Sequence, residues 1–113
     1  MKTKDFNAMV RAAINSCLQT LTVKNKEYGK KNDKLHNFKV AARKKNITPE
    51  QALAGFKLKH DVSIDDIIDD TALLNSDDFK KKYGDGRLIE EKIGDEINYF
   101  LLLKGLLYER LNS

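Results

Sequence analysis

The sequence predicts an all-α fold, and two observations carry this prediction. Apolar residues recur every three or four positions through most of the chain, which is the period of a helix with one buried stripe. No stretch shows the alternation of apolar and polar residues that marks a half-buried strand. The 113 residues (12.9 kDa) suffice for one modest core. We therefore expect one domain over residues 1–113, an antiparallel bundle of three long helices and one short helix.

The first predicted helix covers residues 5 to about 28. Gly29 follows it and can adopt the left-handed conformation after the last turn. A basic loop is expected at residues 30–34 and a short helix at residues 35–45. The apolar stripe of the first helix consists of Phe6, Met9, Val10, Ala13, Ile14, Cys17, Leu18 and Leu21.

The clearest helix start in the sequence is Thr48-Pro49-Glu50-Gln51. The threonine can cap the helix, proline suits the first helical position, and the glutamine can bond back to the cap. This helix is expected to run to about residue 70. A loop follows at residues 75–86, in which residues 77–83 could form one or two helical turns, and the last helix spans residues 88–111.

The last helix is apolar around most of its circumference between Tyr99 and Leu107. One small bundle cannot cover so wide an apolar surface. We therefore expect a homodimer, or a higher oligomer, formed through this surface.

The composition excludes several classes of protein. With 41% apolar and 34% charged residues the chain is too polar for a membrane protein, and its apolar residues are too periodic for a disordered one. The single cysteine, Cys17, can form neither an internal disulfide nor a Cys-rich zinc site, and it lies in an apolar stripe, which predicts a buried hydrophobe rather than a nucleophile. The N-terminal residues lack the apolar core of a signal peptide, so we expect a cytoplasmic protein.

The net charge of +4 is the difference between two opposed patches. Residues 24–45 contain nine basic and two acidic side chains, whereas residues 61–78 contain seven aspartates and no base. The acidic block would repel the phosphates of a nucleic-acid duplex, which disfavours nucleic acid as the partner. A cation site beside an anion site fits this charge distribution better.

Three polar residues interrupt the apolar pattern of the last helix along a single line. Glu91, Asp95 and Asn98 are spaced at i, i+4 and i+7. Two carboxylates one turn apart repel each other unless a cation lies between them, and Mg²⁺ prefers such oxygen ligands. The alternative is an acidic first turn that complements the helix dipole, which suits Glu91 better than Asp95.

A comparable line follows the third helix, where Lys59, Ser63 and Asp66 succeed one another at steps of four and three. The lysine and the serine can hold phosphate oxygens, while the aspartate can reach a metal shared with the last helix. The alternative is that most of the aspartate block is plain solvated surface.

The segment between the first two helices supplies a third candidate group. Tyr28 or Phe38 could stack on a base while Asn37 hydrogen-bonds to it. The alternative for Phe38 is that it closes the hydrophobic core. The chain contains neither a glycine-rich phosphate loop nor a dinucleotide-binding fingerprint.

Several of these motifs together resemble a known family. They are Lys26-Glu27-Tyr28-Gly29, residues 33–38, Ala41-Ala42, the Lys59-His60-x-x-Ser63 step, and Glu91-Lys92-Ile93-Gly94-Asp95-Glu96-Ile97-Asn98-Tyr99. They resemble small phage-encoded proteins related to the nucleotide modification associated domain. More distantly they are similar to the all-α nucleoside triphosphate pyrophosphatases of the MazG and dimeric dUTPase type.

The resemblance implies a MazG-like fold in which carboxylates from two helices hold Mg²⁺ and a nucleotide is hydrolysed between its α and β phosphates. Carried over to this chain, it implies Glu91 and Asp95 as metal ligands. The paired-glutamate motif of those enzymes is absent, and only Glu27 and the pair Asp66 and Asp69 are left for that part of the site.

The leading hypothesis is therefore a phage-type nucleotide-binding protein of the host cytoplasm. Mg²⁺ would bridge the phosphates to Asp95, Glu91 and Asp66, and Ser63, Asn37, Asn98 and Tyr28 would contact the nucleotide. In a catalytic version, a Mg²⁺-dependent pyrophosphohydrolase, Lys59 would neutralise phosphate charge and Glu27 would activate water.

Two alternatives stay open. One is a non-catalytic protein that sequesters a nucleotide or binds a host protein, which the absent glutamate motif favours. The other uses residues 24–45 as a surface for single-stranded nucleic acid, with Tyr28 and Phe38 stacking on bases.

Overall fold

The structure is a computed structural model that describes residues 1–23 and 33–113. These residues form five α-helices and one π-helical turn, and no β-strand runs through them. The elements are α1 (Thr3–Leu18), the π-helical turn (Gln19–Val23), α2 (His36–Lys45), α3 (Pro49–Leu73), α4 (Ser76–Tyr83) and α5 (Arg87–Leu111). The predicted all-α class is confirmed.

The first helix differs most from its predicted extent. Its α-helical part ends at Leu18, and a π-helical turn continues to Val23. The rest of the predicted helix, which includes Glu27 and Tyr28, lies outside the described residues. The structure has two short helices, α2 and α4, beside the three long ones. The MazG-like arrangement of the bundle stays a prediction.

The predicted capping box at the start of α3 is confirmed. The Thr48 hydroxyl accepts a hydrogen bond from the Gln51 amide at 3.1 Å, and the Gln51 side chain accepts one from the Thr48 amide at 3.0 Å. Just before it, α2 ends at Lys45 and is capped by Asn46, which adopts a left-handed conformation with φ of 54°. Because both helix ends are satisfied locally, three residues suffice to turn the chain from α2 into α3.

The hydrophobic core lies where α2, α3 and α5 meet. Its centre consists of Phe38, Leu53, Leu102 and Leu106, with Leu21, Leu35, Tyr99 and Leu103 packed around it. Phe38 is 3% exposed, so its predicted role in the core is confirmed. The long helices α3 and α5 pack along each other, and α1 packs on α5. This packing brings the polar residues of α1 and α3 onto two sides of α5.

Within the described residues, no helix combines the length and the apolar character that crossing a membrane requires.

A bidentate ion pair joins the start of α3 to the end of α5. Arg110 donates hydrogen bonds to both carboxylate oxygens of Glu50, at 2.5 and 2.8 Å, and these bonds hold the pKa of Glu50 below its usual value. We expect Glu50→Gln to lower the melting temperature by a few degrees at pH 7. The unfolded chain binds a proton at higher pH than the folded one, so this difference closes as the pH falls through the folded pKa of Glu50.

Thermal melts of the wild type and of Glu50→Gln between pH 3 and 7 measure this effect. Asp65→Asn, at an exposed position of the same helix, is the matched control and should melt like the wild type at pH 7. A pH-independent difference would show that the effect does not come from the ion pair.

Candidate functional site

A polar pocket of about 150 Å³ lies between α1, the π-helical turn and α5. Six of its eight lining residues carry polar side chains. It is lined by Ser16, Cys17, Thr20, Glu90, Glu91, Gly94, Asp95 and Asn98.

The wall on the α1 side contains two hydroxyl groups. Ser16 lies in the last turn of α1, and Thr20 lies in the π-helical turn that follows. A π-helical turn leaves backbone carbonyls poorly paired, and such turns are frequent at functional sites. Here the Leu18 carbonyl accepts a hydrogen bond from the Thr22 hydroxyl at 2.6 Å, and the Leu21 carbonyl accepts one from the Lys34 ammonium at 3.2 Å.

Cys17 lines the same wall and is 5% exposed. Burial raises the pKa of its thiol. The thiol therefore stays protonated at neutral pH, which agrees with the predicted role of a buried hydrophobe.

The wall on the α5 side contains the predicted line of polar residues. Glu91, Asp95 and Asn98 all line the pocket, together with Glu90. Gly94 lies among them, and a Cβ atom built on it meets no atom within 4 Å. Glycine at this position therefore leaves space in the pocket that a methyl group would occupy.

Asn98 is the one buried polar residue of the described chain, at 4% exposed. Its Oδ1 atom has no hydrogen-bond partner among the described residues. Leaving such an acceptor unpaired costs about 1–3 kcal/mol, so a donor or cation supplied by a ligand would stabilise this position.

A second polar layer lies behind Asp95, where α3 meets α5. The His60 Nδ1 atom is 3.6 Å from the Asp95 Oδ2 atom, and the ring of Tyr99 lies 4.9 Å from that of His60. Burial lowers the pKa of His60, with the charge of Asp95 acting in the opposite direction. The imidazole is therefore neutral at pH 7 and does not form an ion pair with Asp95.

Lys57 lies one turn before His60 and bridges α3 to α5. Its ammonium is 2.5 Å from Asp61 and 3.2 Å from Glu96, and 4.2 Å from the centre of the Phe100 ring. Burial and then the nearby Asp61 raise the pKa of Glu96, whereas the hydrogen bond from Lys57 is the main cause of the lowered pKa of Asp61. We call Lys57, Asp61 and Glu96 the ion triad.

The site residues predicted on α3, namely Lys59, Ser63 and Asp66, do not line the pocket. Lys59 and Asp66 are exposed, and the Ser63 hydroxyl donates to the Lys59 carbonyl at 3.0 Å. Asp66 is six positions after His60, roughly 120° away around the helix, which is why it does not face α5. Asn37 is exposed at the start of α2 and does not line the pocket either.

The predicted third carboxylate is thus not brought to Glu91 and Asp95. No three His, Cys, Asp or Glu side chains of residues 1–23 and 33–113 lie close enough together to hold a metal ion among themselves. Glu27 and Tyr28, predicted as the base and the stacking platform, are not among these residues.

The sequence interpretation missed the hydroxyls of Ser16 and Thr20 and the inward line of α3. That line, Lys57, His60 and Asp61, has the i, i+3, i+4 spacing of a single face and follows Leu53 of the core. The sequence shows this spacing, but it does not show that this face of α3 packs against α5.

No protein-family model, no curated protein and no solved structure matches the chain. The resemblance to the MazG-like proteins therefore depends on the quoted motifs alone, and the case for a function depends on the residues of the pocket.

Proposed function

We propose that this chain binds a nucleotide through Mg²⁺ at the pocket between α1 and α5. The observation that carries the proposal is the set of oxygen atoms around this pocket. The carboxylate residues Glu91 and Asp95 line it together with Asn98, whose Oδ1 atom is buried and has no hydrogen-bond partner among the described residues.

The donor set fits Mg²⁺ rather than a softer metal. Mg²⁺ takes oxygen ligands, keeps several waters, and is commonly bound through one or two carboxylates together with substrate phosphates. Glu91 and Asp95 would supply the carboxylates, and the amide oxygen of Asn98 would bind the ion or one of its waters. When bound, the metal supplies positive charge that neutralises phosphate oxygens.

The size of the pocket sets which part of a nucleotide enters it. A cavity of about 150 Å³ corresponds to roughly five water molecules. It accommodates a hydrated ion with a few phosphate oxygens, while the sugar and base lie outside. The Ser16 and Thr20 hydroxyls can donate hydrogen bonds to these phosphate oxygens.

In the first version of this proposal the chain binds a nucleotide without hydrolysing it, because the predicted third carboxylate does not lie at the pocket. Such a chain would sequester a nucleotide. In the catalytic version the chain would release pyrophosphate and Glu27 would activate water, whereas Lys59 lies outside the pocket. Phage origin and the host cytoplasm stay predictions.

Calorimetry with a panel of ribo- and deoxyribonucleoside triphosphates, with Mg²⁺ and with EDTA, tests the proposal. We expect binding that requires Mg²⁺ and that is weakened at least tenfold by Asp95→Asn. Asp65→Asn, an exposed aspartate outside the pocket, is the matched control and should bind like the wild type. Equal binding in EDTA, or by Asp95→Asn, would overturn the proposal. A pyrophosphate assay on the same samples separates the two versions.

Gly94→Ala should change stability and binding in opposite directions. Alanine favours a helix interior over glycine by about 0.5–1 kcal/mol, so the variant should unfold at a higher denaturant concentration. Its methyl group occupies the open space beside Asp95, so we expect Mg²⁺-dependent nucleotide binding to weaken at least threefold. Urea titration and calorimetry on the same preparation measure the two effects. Unchanged or tighter nucleotide binding would show that the ligand does not enter this pocket.

A further inference from the structure

The pocket between α1 and α5 is acidic. Three of its eight lining residues are carboxylates, namely Glu90, Glu91 and Asp95, and none of these eight described residues is basic. Lys92, which does not line the pocket, lies 3.8 Å from Glu91 and balances one of the three charges. The wall therefore keeps an excess of negative charge, which attracts a cation and repels an anion that arrives alone.

A second observation, independent of this charge, indicates a ligand that donates hydrogen bonds. Asn98 lines the pocket and is 4% exposed, and its Oδ1 atom has no hydrogen-bond partner among the described residues. An acceptor left unpaired at this depth costs about 1–3 kcal/mol. A ligand that combines positive charge with N–H groups would satisfy both the carboxylates and this amide oxygen.

A primary ammonium group has both properties. It carries three N–H donors and no acceptor, and the pocket offers it the acceptor side chains of Glu91, Asp95 and Asn98. It binds at about 2.7–2.9 Å from each oxygen, whereas Mg²⁺ requires oxygen ligands at about 2.0–2.1 Å. An ammonium group thus tolerates a wider set of acceptors, and no three His, Cys, Asp or Glu side chains of the described chain lie close enough together to hold a metal ion.

The rest of the lining selects among ammonium compounds. A quaternary ammonium is recognised by aromatic rings, and an amino acid needs a base for its carboxylate, but the eight lining residues include neither an aromatic nor a basic side chain. The buried thiol of Cys17 and the open space beside Gly94 leave a place for a few methylene groups. A volume of about 150 Å³ corresponds to roughly five water-sized groups, which limits the ligand to a short chain.

We infer that this pocket binds a short aliphatic amine, with a primary ammonium group held by Glu91, Asp95 and Asn98. In a diamine the second ammonium pairs with Glu90, which lines the pocket and is exposed to solvent. The amine occupies the place that the proposed function gives to Mg²⁺, so the two ligands exclude each other. The inference uses the same pocket but does not rest on the binding of a nucleotide.

Calorimetry with 1,4-diaminobutane, in EDTA, without nucleotide and at constant ionic strength, tests the inference. We expect one saturable site per chain, weakened at least tenfold by Asp95→Asn. Gly94→Ala should weaken it at least threefold and should keep its fold, because alanine favours a helix. Asp65→Asn, an exposed aspartate outside the pocket, is the matched control and should bind like the wild type. Equal binding by Asp95→Asn, or an equal loss in Asp65→Asn, would overturn the inference.

Two further ligands test the chemistry on the wild type, where the folding of a variant plays no part. Tetramethylammonium has the charge without an N–H donor, and 1-butanol has a similar chain without the charge. Each should bind at least tenfold more weakly than 1,4-diaminobutane. Equal binding of either ligand, or no saturable binding of the diamine, would contradict the inference.

Competition separates this inference from the proposed function. If both hold, 1,4-diaminobutane should raise the apparent Kd of the Mg²⁺-nucleotide as the amine fills the pocket. Nucleotide binding that saturating amine leaves unchanged would overturn the inference and leave the proposed function standing. Amine binding in a chain that binds no nucleotide would support the inference and overturn the proposed function.

Discussion

Leu53→Ala should destabilise the fold by about 3 kcal/mol, because the change leaves a cavity at the centre of a small core. Leu53 is 1% exposed and packs against Phe38, Leu102 and Leu106. These side chains come from α2, α3 and α5, so one truncation weakens the contact of all three helices. For a domain of this length the loss corresponds to a drop in melting temperature of roughly 10–20 °C.

Urea titrations followed by circular dichroism at a fixed protein concentration measure this loss. Leu73→Ala is the matched control, because it makes the same chemical change in the same helix at a position that is 77% exposed. The control should stay within about 0.5 kcal/mol of the wild type. Similar losses in the two variants would show that the core is not where the structure places it.

Lys57→Met should be the most destabilising charge substitution among the residues that the structure describes. The ammonium is 13% exposed and pairs with Glu96, which is 16% exposed, so its removal leaves that carboxylate nearly buried and unpaired. Breaking such a pair costs about 3–5 kcal/mol in a closed interior. Because the ion triad opens to solvent at Asp61, which is 39% exposed, we expect about 2 kcal/mol.

The stability lost in Lys57→Met should depend on pH. Without the lysine, the folded pKa of Glu96 rises further above that of the unfolded chain, so the folded state holds its proton at a pH where the unfolded state has lost it. The stability of Lys57→Met therefore falls as the pH rises through that interval, and its difference from the wild type shrinks on acidification.

A double-mutant cycle measures the interaction free energy between Lys57 and Glu96. Lys57→Met combined with Glu96→Gln should recover at least half of the loss at pH 7, because the second change removes the uncompensated charge. Lys59→Met, two positions away and exposed, serves as the control and should unfold like the wild type. Additive losses in the double variant would contradict the assignment of Lys57 to Glu96.

Local signals explain which parts of the fold the sequence could predict. The capping box at Thr48 and Gln51 is encoded by neighbouring residues, and the inward line of Glu91, Asp95 and Asn98 follows from spacing on one helix. The packing of one helix against another cannot be predicted from such local signals. Lys59 and Lys57 are two positions apart on α3, and only the packing against α5 decides that Lys57 turns inward while Lys59 stays in solvent.

The same reason accounts for the part of the candidate site that was not predicted. A metal site with carboxylates from two helices needs both helices to present them to one point, and periodicity gives the angle of a residue only within its own helix. Asp66 satisfies the spacing rule and still faces away from α5. Ser16 and Thr20 became candidates only when the structure placed α1 against α5.

The wide turn at Gln19–Val23 makes the length of the chain at this point a determinant of the fold. A π-helical turn holds about one residue more than an α-helical turn, so deleting one of these five residues would change which of their side chains face α5. Leu21 would then leave the core and Thr20 would leave the wall it shares with Glu91. These five positions are therefore constrained in number as well as in residue type, because an insertion or a deletion there would disturb the packing and the pocket together.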